Sequence, residues 1–142
     1  MVHGLEQAEA ALDSAGPAGV LLLSAPAAGG FAGPGWFLAL VAEARRRHTG
    51  VACEAALDCG DAAGSALMAL RAGATIIVLD GACPAFAAVS AAAAEAGARL
   101  LPARPPAFDA GRIDLRRRDD LKRLAAWLAM EVPQASPTPP PS

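Results

Sequence analysis

Two aspartates each end an apolar run, and each is followed closely by a glycine. Asp58 comes two residues before Gly60, and Asp80 ends the run Thr75–Leu79 and directly precedes Gly81. If both runs are strands of a parallel sheet joined by a helix, both carboxylates emerge at the same edge. Open α/β sheets and barrels bind their ligands at that edge. Two carboxylates held close together also raise the pKa of one of them, which suits acid–base chemistry.

A structural role is the alternative for each of these aspartates, because Asp commonly caps a helix or a turn through hydrogen bonds from main-chain N–H groups. Cys59 has two interpretations as well. It is either a small buried apolar residue or a reactive thiol activated by the start of a helix near Asp61, its predicted N-cap. Cys83 follows the next run in a comparable place, so a metal site that combines both cysteines with Asp58 and Asp80 is geometrically conceivable. No histidine and no Cys-x-x-Cys spacing accompanies these residues, so we predict neither a metal nor a cofactor.

The order of short motifs along residues 5–101 is a second feature. A strand-like run ends at Ser24 and leads into small residues, Leu57–Gly60 reads Leu-Asp-Cys-Gly, and Leu79–Ala82 reads Leu-Asp-Gly-Ala after a helix-like stretch that ends in glycine. This order resembles the early βα units of the class II fructose-bisphosphate aldolase family, which are zinc-dependent TIM barrels. The resemblance implies that Asp58 transfers a proton, that Ser24 contacts the substrate, and that Asp80 lies near the metal region.

The metal ligands of that family are largely missing from this sequence. Cys59 stands where the family has a zinc-binding histidine, and residues 100–103 read Leu-Leu-Pro-Ala where the family's next strand carries glutamates. The family's later zinc histidines belong to the second half of the barrel, which has no counterpart in these residues. We therefore expect no bound zinc and no cleavage of fructose bisphosphate. Lys122, the single lysine, is predicted on an outer helix face, which disfavours Schiff-base chemistry.

Composition excludes several other classes of protein. The 142 residues are 54% hydrophobic and only 4% aromatic, so the core must consist mainly of Ala, Leu, Val and Gly. A net charge of −2 indicates neither a nucleic-acid partner nor a charged membrane surface. No apolar run reaches the roughly 20 residues of a membrane span, and the first residues do not resemble a signal peptide. Three cysteines do not form a complete disulfide framework. We expect a cytoplasmic protein with reduced thiols.

Helix-like and strand-like segments alternate along residues 1–132, which we interpret as a single α/β domain. Four strands are expected, with a fifth edge strand at residues 113–115, and the strands are mostly parallel with helical connections. Two architectures remain open. One is a flavodoxin-like open sheet with helices on both faces, and the other is half of a TIM-type barrel. Residues 133–142 contain five prolines and are predicted to be a disordered tail.

Two classes of function follow from these observations. In the first, the chain is a non-catalytic or repurposed aldolase-like module that acts through self-association or a partner, because an uncovered sheet edge favours a homo-oligomer. In the second, it is a metal-independent enzyme or binding protein for a small carbonyl or phosphorylated metabolite, and it uses Ser24, Asp58, Cys59 and Asp80. His3 and His48 are expected to lie away from this site.

Overall fold

The computed structural model describes residues 1–130, in which helices alternate with strands. The strands in this range are β1 (Val20–Leu23), β2 (Cys53–Asp58), β3 (Ile76–Val78) and β4 (Arg99–Leu101). The α-helices in the same range are α1 (Leu5–Ser14), α2 (Ala28–Phe31), α3 (Pro34–Arg47), α4 (Ala63–Arg71), α5 (Phe86–Glu95) and α6 (Arg118–Ala129), and a short 3-10 helix covers Ala110–Arg112. None of the helices in residues 1–130 combines the length and the apolar character needed to cross a membrane. The predicted disordered tail, residues 133–142, lies outside the described residues.

The four strands form one parallel sheet in the order β1-β2-β3-β4. Leu57, Ile77 and Leu100 lie in register across three of these strands. The predicted α/β class with a parallel sheet is therefore confirmed. A flavodoxin-like sheet contains a point where the strand order reverses, and this order contains none. Of the two architectures left open by the sequence, the order matches the consecutive βα units in half of a TIM-type barrel.

The helices that connect the strands pack on one face of the sheet. Leu22, Leu57 and Ile77 belong to the same buried cluster as Phe37 of α3 and Val89 of α5. Burial of each of these large side chains stabilises the fold by about 1.5–3 kcal/mol. Completely buried alanines let the helices approach their neighbours closely; these are Ala8, Ala44, Ala66 and Ala69. This packing agrees with the low aromatic content of the sequence.

The opposite face of the sheet carries a smaller apolar cluster. Leu23, Ala56, Ile76 and Val78 are buried there, and Leu101 packs against them. These side chains alternate along the strands with those that face the helices, as the two-residue period of a strand requires. Both faces of the central strands are therefore apolar, which is typical of parallel sheets.

The chain that leaves β4 crosses the carboxyl ends of the strands toward β1. We call residues 102–112 the strap. At its start the Gly81 N–H donates to the Pro102 carbonyl at 2.9 Å, and near its end the Ala110 N–H donates to the Met1 carbonyl at 3.0 Å. The strap thus connects the β3–β4 side of the sheet to the N-terminal segment beside β1.

Two local predictions are wrong. Residues 113–115 do not form a fifth strand, because Asp114 turns the chain: its side chain accepts the Arg116 N–H and its carbonyl accepts the Arg117 N–H, both at 2.9 Å. Asp61 is not the N-cap of α4. That cap is Ala62, which makes no side-chain capping bond.

Candidate functional site

The polar residues singled out in the sequence lie at the carboxyl ends of neighbouring strands. Ser24 directly follows β1, Asp58 is the last residue of β2, and Asp80 comes two residues after β3. The loops are joined through the main chain, since the Asp80 N–H donates to the Gly60 carbonyl at 2.7 Å. The parallel sheet thus brings these residues to one edge, which we call the rim. What each side chain can do there depends on its partners.

One carboxylate oxygen of Asp58 connects two loops. Its Oδ1 accepts the Gly60 N–H at 2.7 Å and the Ala27 N–H at 3.1 Å. Ala27 has a φ of +56°, a left-handed conformation that costs a residue with a side chain about 1–2 kcal/mol. The hydrogen bond to Asp58 helps to offset that cost, so this oxygen holds the loop after β1 against the loop after β2.

The other carboxylate oxygen of Asp58 pairs with an arginine of the strap. Arg104 Nη1 lies 2.5 Å from Asp58 Oδ2, and Arg104 Nη2 donates to the Ser24 carbonyl at 3.1 Å. The Asp58 side chain is only 4% exposed, so this charged pair is largely removed from water. Arg104 was not identified from the sequence. It lies in a proline-rich stretch 46 residues after its partner, and no motif spacing links the two.

Ser24 has no access to solvent, with an exposed fraction of 0%. Its Oγ accepts the Asp58 N–H at 2.9 Å and donates to the Ala25 carbonyl at 3.1 Å. We refer to Ser24, Asp58 and Arg104 together as the rim network. The partners of this network are parts of the fold itself, so each polar group has a structural use.

Cys59 is buried beneath the rim, with 1% of its surface exposed. Burial raises the pKa of its thiol to about 11, and the neighbouring negative charge of Asp58 adds to the increase. A reactive thiol at the start of a helix would have a lowered pKa, so the shift is opposite to that interpretation. The helix α4 begins only at Ala63, four residues after Cys59. At neutral pH the residue is therefore a protonated thiol, which is a poor nucleophile.

Asp80 is exposed and takes part in a local turn. Its Oδ1 accepts the Ala82 N–H at 2.9 Å, and its carbonyl accepts the Cys83 N–H at 2.9 Å. Its Oδ2 makes no hydrogen bond with any residue in the range 1–130. Across that same range, no three His, Cys, Asp or Glu side chains are grouped closely enough to hold a metal ion. Asp58, Cys59, Asp80 and Cys83 therefore do not converge on a shared centre.

A separate groove lies beside the rim at the β1 side of the sheet. It has a volume of about 260 Å³, and its walls include Val2, Ala28, Phe31 and Trp36. His3 also lines it, and His3 Nε2 lies 2.9 Å from Asp109 Oδ1 of the strap. The sequence placed this histidine away from the rim. His3 lies in this groove and not in the rim network, because the N-terminal segment runs beside the end of β1, where the Val2 N–H donates to the Leu23 carbonyl.

Comparison with known proteins gave no match among protein-family models, curated proteins or solved structures. The resemblance to the aldolase family therefore stands on the sequence motifs alone.

Proposed function

We propose that this chain is a non-catalytic, aldolase-like α/β module that acts by self-association. The main support for this proposal is the rim network. Both oxygens of the Asp58 carboxylate, the Ser24 hydroxyl and two nitrogens of the Arg104 guanidinium are engaged by other parts of the fold. A general base or a substrate contact needs an accessible atom within hydrogen-bonding distance of the reacting group. Ser24 and Asp58 are therefore engaged by the fold, and of the rim carboxylates only Asp80 keeps an oxygen without a hydrogen bond to residues 1–130.

The alternative function is a metal-independent enzyme or binder for a small carbonyl or phosphorylated metabolite at the rim. It would require Arg104 to leave Asp58 and the strap to move, which exposes a largely buried ion pair. That movement also breaks the hydrogen bond from Arg104 Nη2 to the Ser24 carbonyl and leaves Asp58 Oδ2 without its arginine. The bound metabolite would have to repay the energy of these contacts in addition to its own binding, so we rank this function second. We expect no fructose-bisphosphate cleavage, because Cys59 stands where the aldolase family has a zinc-binding histidine and no carboxylate follows Leu100 in residues 101–103.

Self-association is supported by exposed apolar side chains on α2 and α4. Phe31 is 74% exposed and Met68 is 58% exposed, although large apolar side chains are usually covered. The two helices contact each other, and Gly30 faces Ser65 where they meet. Leu67 adds a further partly exposed side chain. We call Phe31, Leu67 and Met68 the α2–α4 patch.

The patch suits a second copy of the same chain. α2 contains no charged residue, and the only charged residue of α4 is Arg71 at its last position. A symmetric dimer places identical surfaces against each other, so an uncharged patch avoids the like-charge repulsion that would oppose such contact. The outer edge of β4 is a weaker candidate, since that strand has three residues and Pro102, which follows it, cannot donate a ladder hydrogen bond.

Sedimentation velocity over a range from about 5 to 200 µM tests this proposal. We expect the wild-type chain to form a dimer within that range. Phe31→Ser and Met68→Ser should each shift the equilibrium toward monomer by about tenfold or more, because each removes a large apolar side chain from the interface. Met130→Ser is the matched control. Met130 is 57% exposed but lies beyond α6, so its replacement should leave the equilibrium unchanged.

A monomer at the highest concentration would overturn the proposal. So would a dimer that is equally stable in the wild type and in both patch variants, because the association would then use another surface. Far-ultraviolet circular dichroism of each variant verifies that the fold is retained.

A further inference from the structure

His3 is held in one orientation by the strap and by its own segment. Its Nε2 is bonded to Asp109 Oδ1 at 2.9 Å, and its main-chain N–H donates to Gln7 Oε1 at 2.7 Å. The ring also lies against Gly111, where an added Cβ would come within 2.8 Å of the ring carbon Cδ2. Any side chain at position 111 would therefore displace the imidazole.

The partner of His3 determines which ring nitrogen carries the proton. Partial burial raises the pKa of Asp109, but the hydrogen bonds from His3 and from the Gly111 N–H outweigh it, so the pKa lies below its ordinary value. The ionised carboxylate only accepts hydrogen bonds, so Nε2 of His3 is the protonated nitrogen. In the neutral ring, Nδ1 is then an acceptor. Nδ1 makes no hydrogen bond with any residue from 1 to 130.

The groove that His3 lines is otherwise apolar and has two aromatic walls. Phe31 and Trp36 are both substantially exposed along it, and Val2 and Ala28 close it toward the sheet. Its volume of about 260 Å³ exceeds the cavity of about 150 Å³ that holds benzene in a protein interior. The space therefore suits a ligand with one or two rings.

We propose that this groove is a binding site for a small, neutral aromatic ligand that carries a hydroxyl group. The ligand ring packs between Phe31 and Trp36, and its hydroxyl donates a hydrogen bond to Nδ1 of His3. A neutral donor is favoured over an anion, because the negative charge of Asp109 lies on the other side of the same imidazole ring. The site shares Phe31 with the α2–α4 patch, but it requires neither Leu67 nor Met68.

Isothermal titration calorimetry with p-cresol and its methyl ether, 4-methylanisole, tests this assignment. The two probes share the ring and the methyl group, but only p-cresol has a hydroxyl donor. We expect p-cresol to bind about three- to tenfold more tightly, which corresponds to one neutral hydrogen bond. His3→Phe keeps an aromatic ring at the groove and removes the acceptor, so it should reduce p-cresol binding to the level of the ether.

Gly111→Ala provides a second, independent variant, because it acts on the orientation of His3 rather than on its chemistry. We expect it also to remove the preference for p-cresol while the ether binds as before. Met130→Ser, which replaces an exposed residue beyond α6 and outside the groove, should leave both affinities unchanged. Equal affinities of the two probes for the wild type would overturn the assignment, as would a preference that survives His3→Phe or the absence of binding at millimolar concentrations.

Discussion

Asp58 and Asp109 accept similar hydrogen bonds in different surroundings. Each carboxylate accepts the main-chain N–H two residues later, from Gly60 at 2.7 Å or from Gly111 at 2.9 Å, and each contacts an arginine. The partners of Asp58 are structural parts of the fold, and its side chain is buried. Asp109 is more exposed and orients His3, which keeps a further acceptor. The sequence motif singled out Asp58, but both of its carboxylate oxygens are engaged. His3, which Asp109 orients, keeps its Nδ1 as a hydrogen-bond acceptor.

The largest expected effect is on folding stability, which should fall much more when Asp58 is replaced than when Asp109 is replaced. Asp58→Ala leaves the Arg104 guanidinium and two main-chain N–H groups without their acceptor, so we expect the free energy of unfolding to fall by about 2–4 kcal/mol. Asp109→Ala removes a more exposed pair and should cost less than about 1 kcal/mol. Urea denaturation of both variants measures the difference. Equal losses of unfolding free energy would show that the two carboxylates stabilise the fold to the same extent, which would contradict this prediction.

Two adjacent glycines of α2 differ in how closely they approach neighbouring residues. A Cβ on Gly29 would lie 2.7 Å from the Cys59 sulfur, whereas a Cβ on Gly30 would meet nothing closer than Ser65 Oγ at 3.6 Å. We expect Gly29→Ala to destabilise the fold by about 1–3 kcal/mol, since α2 must shift away from the rim. Gly30→Ala should be neutral or stabilise by up to about 1 kcal/mol, because alanine favours a helix. Thermal unfolding of both variants checks the contrast, and equal melting temperatures would contradict it.

The smallest expected effect is a loss of folding stability at alkaline pH. The pKa of Cys59 is raised in the folded state, from an ordinary value of 9.0 to about 11, so the unfolded chain loses this proton first. The resulting stabilisation is complete below about pH 9 and is lost as the pH rises toward 11, by on the order of 1 kcal/mol near pH 10. Urea denaturation at pH 8 and at pH 10 measures the loss. Cys59→Ala is the control, and an equal loss in that variant would assign the effect to another group.

Much of the fold follows from local patterns in the sequence. The apolar runs predicted the four strands, and the glycines that follow α4 and α5, Gly73 and Gly97, both have the positive φ that glycine favours at a helix end. α2 was missed, because Ala-Gly-Gly-Phe has little intrinsic tendency to form a helix. This short helix depends instead on the close contact of Gly29 with Cys59.

The candidate sites were less predictable, because their partners are distant in sequence. Ser24 and Asp58 were recognised as polar residues at strand ends, but the interaction that engages them comes from Arg104, in a stretch with no recognisable motif. His3 pairs with Asp109 across 106 positions. Neither pairing follows from a local period or spacing, since each depends on where the strap crosses the sheet.

The strap also has a consequence for the order in which the molecule forms. Each strand pairs with the next one along the chain, whereas the Met1–Phe108 contact spans 107 positions. Closing so long a segment costs more conformational entropy than joining neighbouring βα units, so the units should assemble first. During synthesis Arg104 leaves the ribosome 46 residues after Asp58. The nascent chain therefore passes through a state in which the first strands can pair while the Asp58 carboxylate still lacks its arginine.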